Sequence, residues 1–289
     1  MIKEDNLKVI NKIKELPTLP IVIMRLLNTI QQPNSSAEDF AQIIMRDPSM
    51  AVNLLKLANS AFYGHSRKIS TITEAIVIIG MDTLKALILG TSIFRINPKT
   101  QKGKTQLKEI WLHSLKTAVA AKIIANEVKA EDQEIIYVSA LLHDLGKLIY
   151  AKFYEEDFVD IEEKMHETGY TFFQVEKTLY PFTHCELGMH VAEHWKLLGE
   201  MKAVIAMHHS PEEEIPKEYS EIINIIKIAN QVGKIQFETN LNLNTLPPIE
   251  TNLFDRLSLK EDDYIIFCKK VYDEKKRINS FFGLIEEFA

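Results

Sequence analysis

The stretch Ile135-Ile136-Tyr137-Val138-Ser139-Ala140-Leu141-Leu142-His143-Asp144-Leu145-Gly146-Lys147 decides how the chain is read. Its first eight residues are apolar on nearly every helical face, which predicts a helix buried on all sides. The His143 imidazole and the Asp144 carboxylate then end up inside, beside the Lys147 ammonium. Adjacent helical residues diverge by ~100°, so the two side chains can flank a common point, as two ligands of one cation would. Gly146 is expected to stop the helix. A buried His and Asp are costly to desolvate without a partner, and a divalent cation is the strongest partner for both. A His–Asp hydrogen bond inside a core is the alternative, and these residues alone leave the choice open.

The rest of the chain supplies the setting. Ten Gly and ten Pro in 289 residues, with apolar residues recurring every three or four, predict an all-α protein without strands. The length suggests one large or two modest units, each able to bury its own core. Cys185 and Cys268 are the two cysteines, which fits buried thiols in a reducing compartment and no disulfide framework. A formal charge of -6 argues against a protein wrapped in nucleic acid. The N-terminus Met1-Ile2-Lys3-Glu4-Asp5-Asn6 lacks the pattern of a secretory signal, and no apolar run reaches membrane-spanning length. A soluble, cytoplasmic protein is expected.

Capping signals divide the chain into helices. Residues 3 to 14 form a short amphipathic helix, Leu16-Pro17-Thr18-Leu19-Pro20 turns, and Pro20 opens a second helix to about Gln31. Ser35 with Glu38 is a capping-box pattern, Asp47-Pro48 supplies an N-cap with a first-turn proline, and Thr71 with Glu74 repeats the box. Asp82 is expected to cap Thr83 to Ile96. The pair of helices about Gly80 to Asp82 is read as core packing. Its second member, Leu84-Lys85-Ala86-Leu87-Ile88-Leu89-Gly90, lacks the polar side chains that a DNA-reading helix needs.

Asn97 to Gln106 is the most linker-like stretch, and the boundaries are drawn as 1–105, 106–236 and a helical tail, 237–289. Beyond the linker, a helix from about Leu107 to Lys129 carries Glu109 and His113 four apart on one face. An acidic helix near Glu155 to Glu167 ends at Gly169, and Thr183 with Glu186 again resembles a capping box, placing His184 at a helix start. His208 and His209 fall at a helix end terminated by Pro211. Ile222 to Gly233 is a further buried helix, containing Asn230.

Glu109, His113, His143, Asp144, His184, His208 and His209 are seven groups suited to a divalent cation, spread over four helices, and helical bundles build metal sites in this way. His65, His166, His190 and His194 are left out as isolated histidines.

Several stretches in order carry a family resemblance over about residues 10 to 235. They are Leu16-Pro17-Thr18-Leu19-Pro20, Asp47-Pro48, Leu54-Leu55-Lys56-Leu57-Ala58-Asn59-Ser60-Ala61-Phe62-Tyr63-Gly64 and Ile69-Ser70-Thr71-Ile72-Thr73-Glu74-Ala75-Ile76. Together they resemble the HDOD module of bacterial signalling proteins. The later half resembles the related HD superfamily of metal-dependent phosphohydrolases, through His113, His143-Asp144 and Gly146-Lys147. The resemblance implies an all-helical fold, with an N-terminal helical bundle and an HD-type metal-site part. It also implies a regulatory role in bacterial signal transduction, often as an output module working through protein contacts.

By motif, His113, His143 and Asp144 would bind one cation. Asp144 would bridge to a second, held by His184, His208 and His209, with Glu109 a candidate for it. Fe, Mn, Zn or Ni are the candidate metals, in a mononuclear or binuclear site. Asp144 and Lys147 would carry any catalysis, with Lys147 meeting a substrate phosphate.

Two departures bear on function. Asn230 stands where the HD pattern has an aspartate ligand, and an amide oxygen ligates without the negative charge. Ser210-Pro211-Glu212-Glu213-Glu214 replaces the Gly-Tyr-Pro segment of the cyclic-dinucleotide phosphodiesterase branch, and three glutamates beside the mouth would repel a phosphate ester. The reading is therefore an output or scaffolding module with a divalent metal site, its signalling partners unidentified. The alternative is a metal-dependent phosphohydrolase acting on a nucleotide or other phosphate ester. Neither nucleic acid nor membrane is expected as a partner.

Overall fold

The computed structural model describes residues 25–26, 28–29, 35–59, 63, 68–81, 84, 100–237, 241 and 246–288. Every regular element among them is helical, as the apolar periodicity predicts. The expected helices at 3–14 and 83–96, the turn at 16–20 and the helix pair about Gly80–Asp82 lie wholly or largely outside the described residues. The chain divides into two compact units, one of Met1–Thr18 and Ile96–Asp273, the other of Leu19–Arg95 and Glu274–Ala289.

In the second of these units, α1 (Ala37–Ile44), α2 (Pro48–Ala58) and α3 (Ile72–Ile79) pack on one another. Asp47 caps α2 by accepting from the Met50 amide, with Pro48 in the first turn, and Thr71 caps α3 by accepting from Glu74. The first cap differs from expectation by one residue. Ser36, not Ser35, caps α1, and Asp39 returns the bond to the Ser36 amide. That register turns Phe40, Ala41 and Ile44 into the core. Asn59, in the Leu-Ala-Asn stretch, bonds Ile69 in both directions, its Nδ2 donating to the carbonyl and its Oδ1 accepting from the amide, both at 2.8 Å.

The larger unit is organised on α4 (Gln101–Val128), which packs against α5 (Gln133–Leu142), α6 (Leu145–Phe153) and α11 (Lys217–Val232). Thr100 caps it by accepting from the Gly103 amide. Residues 101–106, expected in the linker, are thus helical: this cap lengthens the helix by more than a turn. Helix α5 is buried at every position from Ile136 to Leu142, as its composition demands.

Gly146 does not stop that helix. His143 and Asp144 form the turn, and Gly146 lies in the first turn of α6. Its hydrogen side chain is needed for another reason. A Cβ there would stand 1.8 Å from the His184 carbonyl oxygen and 2.7 Å from the Gly188 nitrogen. Helix α6 thus meets α9 (His184–His194) backbone to backbone at Gly146 and Gly188.

Helices α7 (Glu155–Thr168), α8 (Phe172–Leu179) and α10 (Gly199–Met207) complete the frame around α6 and α9. Gly169 closes α7 in the left-handed region, at φ 73°. After α11 come α12 (Asn252–Arg256), α13 (Glu261–Asp273) and, in the other unit, α14 (Lys275–Phe288). Cys185 and Cys268 are free buried thiols. No helix among the described residues is long and apolar enough to cross a membrane.

Candidate metal centre

Five elements deliver one cluster of side chains. His113 comes from the middle of α4, and His143 and Asp144 from the turn between α5 and α6. His184 is the first residue of α9, His208 caps the C-terminus of α10, and Asn230 lies on α11. Each is placed by a local device. Asp144 begins α6 through its backbone, its carbonyl accepting from Lys147, while its carboxylate makes no cap bond and faces inward. Thr183 and Glu186 form the expected capping box at α9. The Tyr150 hydroxyl donates to the Phe182 carbonyl at 2.7 Å and pins the entry to it. Gly233 lets the end of α11 close on α4, since a Cβ there would lie 2.3 Å from Thr117 Oγ1 and 3.2 Å from His113 Cε1.

Asp144 is the hub. Its Oδ2 faces His143 Nε2 at 3.3 Å, His113 Nε2 at 3.7 Å and Lys147 Nζ at 2.7 Å. Its Oδ1 faces His184 Nε2 at 3.4 Å and His208 Nε2 at 3.6 Å. Ligand bonds of ~2.1 Å around one ion put neighbouring donors a little over 3 Å apart, so these spacings suit shared cations. The two oxygens address two different imidazole sets, the arrangement of a bridging carboxylate.

The outer ring nitrogens are already bonded. His143 Nδ1 meets the Ala140 carbonyl at 2.7 Å, His208 Nδ1 the Val204 carbonyl at 3.0 Å, and His184 Nδ1 Glu176 Oε2 at 2.6 Å. A carbonyl can only accept, so His143 and His208 carry the proton on Nδ1 and turn a lone pair inward at Nε2, the tautomer that metal ligands adopt. His143 Nε2 and Asp144 Oδ1 are buried without a hydrogen-bond partner. Leaving such atoms unpaired is costly, and a cation between them would satisfy both. The residues present therefore fit a divalent metal.

Charge states agree. Burial holds His113 down at about 3 and His184 and His209 well below the usual imidazole range, so these rings are neutral near pH 7. Burial works against the Asp144 charge, but His143 and Lys147 outweigh it and hold the carboxyl well below its ordinary value. His208 is the exception: burial opposes its charge, yet Cys185 and Asp144 raise it, so a cation at Nε2 would have to displace a proton there.

The other expected residues take different places. Asn230 Oδ1 pairs with His113 Nε2 at 2.9 Å, so the amide sits at the first donor set. His209 stacks on Phe173, ring centroids 4.6 Å apart, outside the closest donor groups. Glu109 lies on the wall of the adjoining cavity, its carboxyl raised by burial and by Glu162. Lys147 reaches over Phe172 while bonding Asp144. His166, set aside as isolated, lines that cavity as well.

Two residues escaped the reading of the sequence. Glu176, fully buried on α8, takes both the Nδ1 and the backbone amide of His184, and burial raises it to about 8. Its signal was legible: it lies four residues from Phe172 and three from Phe173, on the apolar stripe of a short helix. Cys185, read only as a buried thiol, lies with His184 and His208 in a group close enough to share an ion. Chain adjacency to His184 was the sole cue.

Two cavities of about 690 Å³ each adjoin the centre, sharing Thr171, His209, Asn230 and Lys234 in their walls. Either could take a ligand of nucleotide size. The first continues to Phe158, Phe172 and Glu162, the second to Lys227, Arg256 and the acidic run. Of that run, Glu212 and Glu213 line the second cavity. Glu212 is engaged by Ser220, Asn224 and Arg256, which tempers the repulsion expected of three glutamates.

The HDOD domain family model matches residues 16–211. An uncharacterized protein of Treponema pallidum is 26% identical over 223 residues, 76% of this chain and 42% of its own length, so the chain spans less than half of that curated relative. A crystal structure of an HDOD domain protein of unknown function from Geobacter sulfurreducens superposes with a TM-score of 0.70 at 25% identity, covering 99% of both chains. One of a protein named for signal transduction, from Marinobacter aquaeolei VT8, has a TM-score of 0.78 at 18% identity over 94% of this chain and 60% of that one, and so shares the fold. With the family model covering more than half its length, the chain belongs to the HDOD domain family.

Proposed function

We propose that the protein is a bacterial, cytoplasmic signal-transduction module that keeps an HD-type divalent metal centre and works as an output or scaffolding element through protein contacts. The observation that carries the metal reading is the ring of inward Nε2 atoms around Asp144, with His143 Nε2 and Asp144 Oδ1 buried and unpaired. His113, His143 and Asp144 would hold one ion. His184 and His208, with Asp144 shared, would hold a second, and His209, Cys185 and Asn230 stand near enough to adjust the set. Imidazole and carboxylate donors suit Fe, Mn, Zn or Ni.

The module reading is supported by Asn230, which removes a negative charge from the donor set and occupies His113, and by the carboxylates Glu109, Glu162 and Glu163 lining the first cavity. A second reading, a metal-dependent phosphohydrolase acting on a nucleotide or other phosphate ester, is favoured by Lys147, which stands in that cavity beside Asp144. When bound, the metal would supply Lewis acidity. Asp144 and Lys147 would orient the reacting phosphate.

Elemental analysis of protein purified without a metal-affinity tag tests the common part. Near-stoichiometric metal, lost in the His143→Ala, Asp144→Ala double variant, is expected. An empty wild type that stays empty after incubation with Fe, Mn, Zn and Ni refutes it. A phosphate-ester panel with added Mn²⁺ separates the two readings: turnover abolished by Asp144→Ala would select the enzyme over the module.

A further inference from the structure

The end of the first cavity away from the metal centre is built of acceptors. On α4, Gln106, Glu109, Ile110 and His113 stand three or four apart and line one wall. The rise of the helix puts Gln106 about 10 Å from His113 along the axis. Helix α7 contributes Phe158, Glu162, Glu163 and Met165 to the same cavity. Gln106 joins the two helices, its Nε2 donating to Glu162 Oε2 at 3.0 Å. A carboxylate can only accept, so the amide cannot be turned round. Its Oε1 is thereby left without a hydrogen-bond partner, in a side chain only 3% exposed. An unpaired buried acceptor is costly, and the group it lacks is a donor.

The carboxylates at this end are also unmatched. Among the described residues, Glu109, Glu162 and Glu163 form no ion pair. Lys164, beside Glu163, is held by Asp160 at 2.9 Å, and Lys147 by Asp144 at 2.7 Å. Lys102 and Lys234, the cavity's other lysines, pair with none of the three. Nor do the three belong to a group close enough together to share a metal ion, so the space suits a larger, organic cation. A guanidinium offers five N–H donors in a planar fork and is more weakly hydrated than an ammonium. The last torsion of a glutamine side chain is soft, which lets Oε1 meet a donor entering between α4 and α7.

We propose that the α4–α7 end of the first cavity binds a guanidinium group, which donates to Gln106 Oε1 and to the carboxylates of Glu162 and Glu109. Phe158 and Met165 receive the apolar stem that carries it. Such binding goes beyond the module reading by naming what the cavity takes, and it needs no metal. The same chemistry is available from a free guanidino compound and from an arginine side chain of a partner protein.

Calorimetric titration of n-butylguanidinium into the full chain, stripped of metal with EDTA, tests this. Saturable binding is expected, and n-butylammonium, equal in charge and stem, should bind roughly tenfold more weakly for want of the planar fork. Glu162→Gln still accepts from Gln106 and so keeps that contact, but should weaken n-butylguanidinium roughly tenfold through the lost charge. Glu167→Gln, an exposed change on the same helix outside the cavity, should bind as wild type. No saturable binding by wild type at millimolar n-butylguanidinium, or equal affinity of wild type and Glu162→Gln, overturns the proposal. Acetyl-Gly-Arg-Gly-amide separates the two sources: binding as tight as that of n-butylguanidinium assigns the cation to a partner protein, and binding of n-butylguanidinium alone assigns it to a small molecule. Either upholds the site.

A second measurement locates the ligand. In protein carrying ¹³C-methyl methionine, the Met165 resonance, assigned with Met165→Leu, should move as n-butylguanidinium saturates. A Met165 methyl that stays in place puts the binding elsewhere and overturns the proposal. Metal content is measured separately. A protein that takes up no metal yet binds n-butylguanidinium at Met165 would refute the metal centre and leave this site standing, whereas a metal-loaded protein that binds none would do the reverse.

Discussion

Gly146→Ala should damage the fold and the metal centre together. The added Cβ would lie 1.8 Å from the His184 carbonyl oxygen, whereas ordinary contact begins at 3.4 Å, so the two backbones must part by about 1.6 Å (3.4 − 1.8). Both neighbours are backbone, so no side-chain rotation relieves the clash. Overpacking of this kind costs about 3 kcal/mol, at the upper end of the usual range. A urea midpoint should fall by roughly 1–3 M for a dependence of roughly 1–3 kcal/mol per molar. The same displacement carries His184, whose Nε2 stands 3.4 Å from Asp144 Oδ1, out of the donor set. Metal content should therefore drop in whatever fraction remains folded. Gly188→Ala is the milder comparison: its Cβ meets the Ile205 Cγ2 methyl at 2.7 Å and the Gly146 nitrogen at 3.0 Å, so the backbones need part by only a few tenths of an ångström, and it should cost less. If Gly146→Ala keeps the wild-type midpoint and the wild-type metal content, the backbone contact of α6 on α9 does not set the position of His184.

Two further perturbations probe other parts of the reasoning. Glu176 is raised by burial from 4.5 to about 8, so the metal-free native state binds more protons than the unfolded one between those values. The stability this group contributes is complete below about pH 4.5 and lost as pH rises through about 8. Glu176→Gln, measured in EDTA, should show a flatter fall of melting temperature over that range, and its metal affinity should drop by roughly 10–100-fold as the support of His184 weakens. Identical pH slopes would remove Glu176 from the account. At the other end of the chain, Ser36→Ala should cost about 1 kcal/mol by deleting the α1 cap, while Ser35→Ala should be nearly silent. The reverse ranking by chemical denaturation would restore the cap to Ser35.

What could be read from the sequence was local. Apolar periodicity at 135–142 foretold a fully buried helix because burial on every face is written in composition. The caps at Asp47, Thr71 and Thr183 were legible because capping is a bond within a few residues. Imidazoles and a carboxylate placed beside apolar runs pointed to a buried cluster, and His113, His143, Asp144, His184 and His208 do converge.

The tertiary structure alone decided what depends on distant partners. Gly146 reads locally as a helix stop, yet its lack of a side chain serves a contact with His184, far along the chain. The apolar stripe marks Glu176 as facing inward, but only the packing of α8 decides that it meets the His184 ring. His209, adjacent to His208, stacks on Phe173, and Asn230 reaches His113 across 117 positions. Short-range hydrogen bonds and hydrophobic period are set by neighbours in the chain, whereas the donor geometry of the centre is set by how five elements pack, which no single stretch encodes.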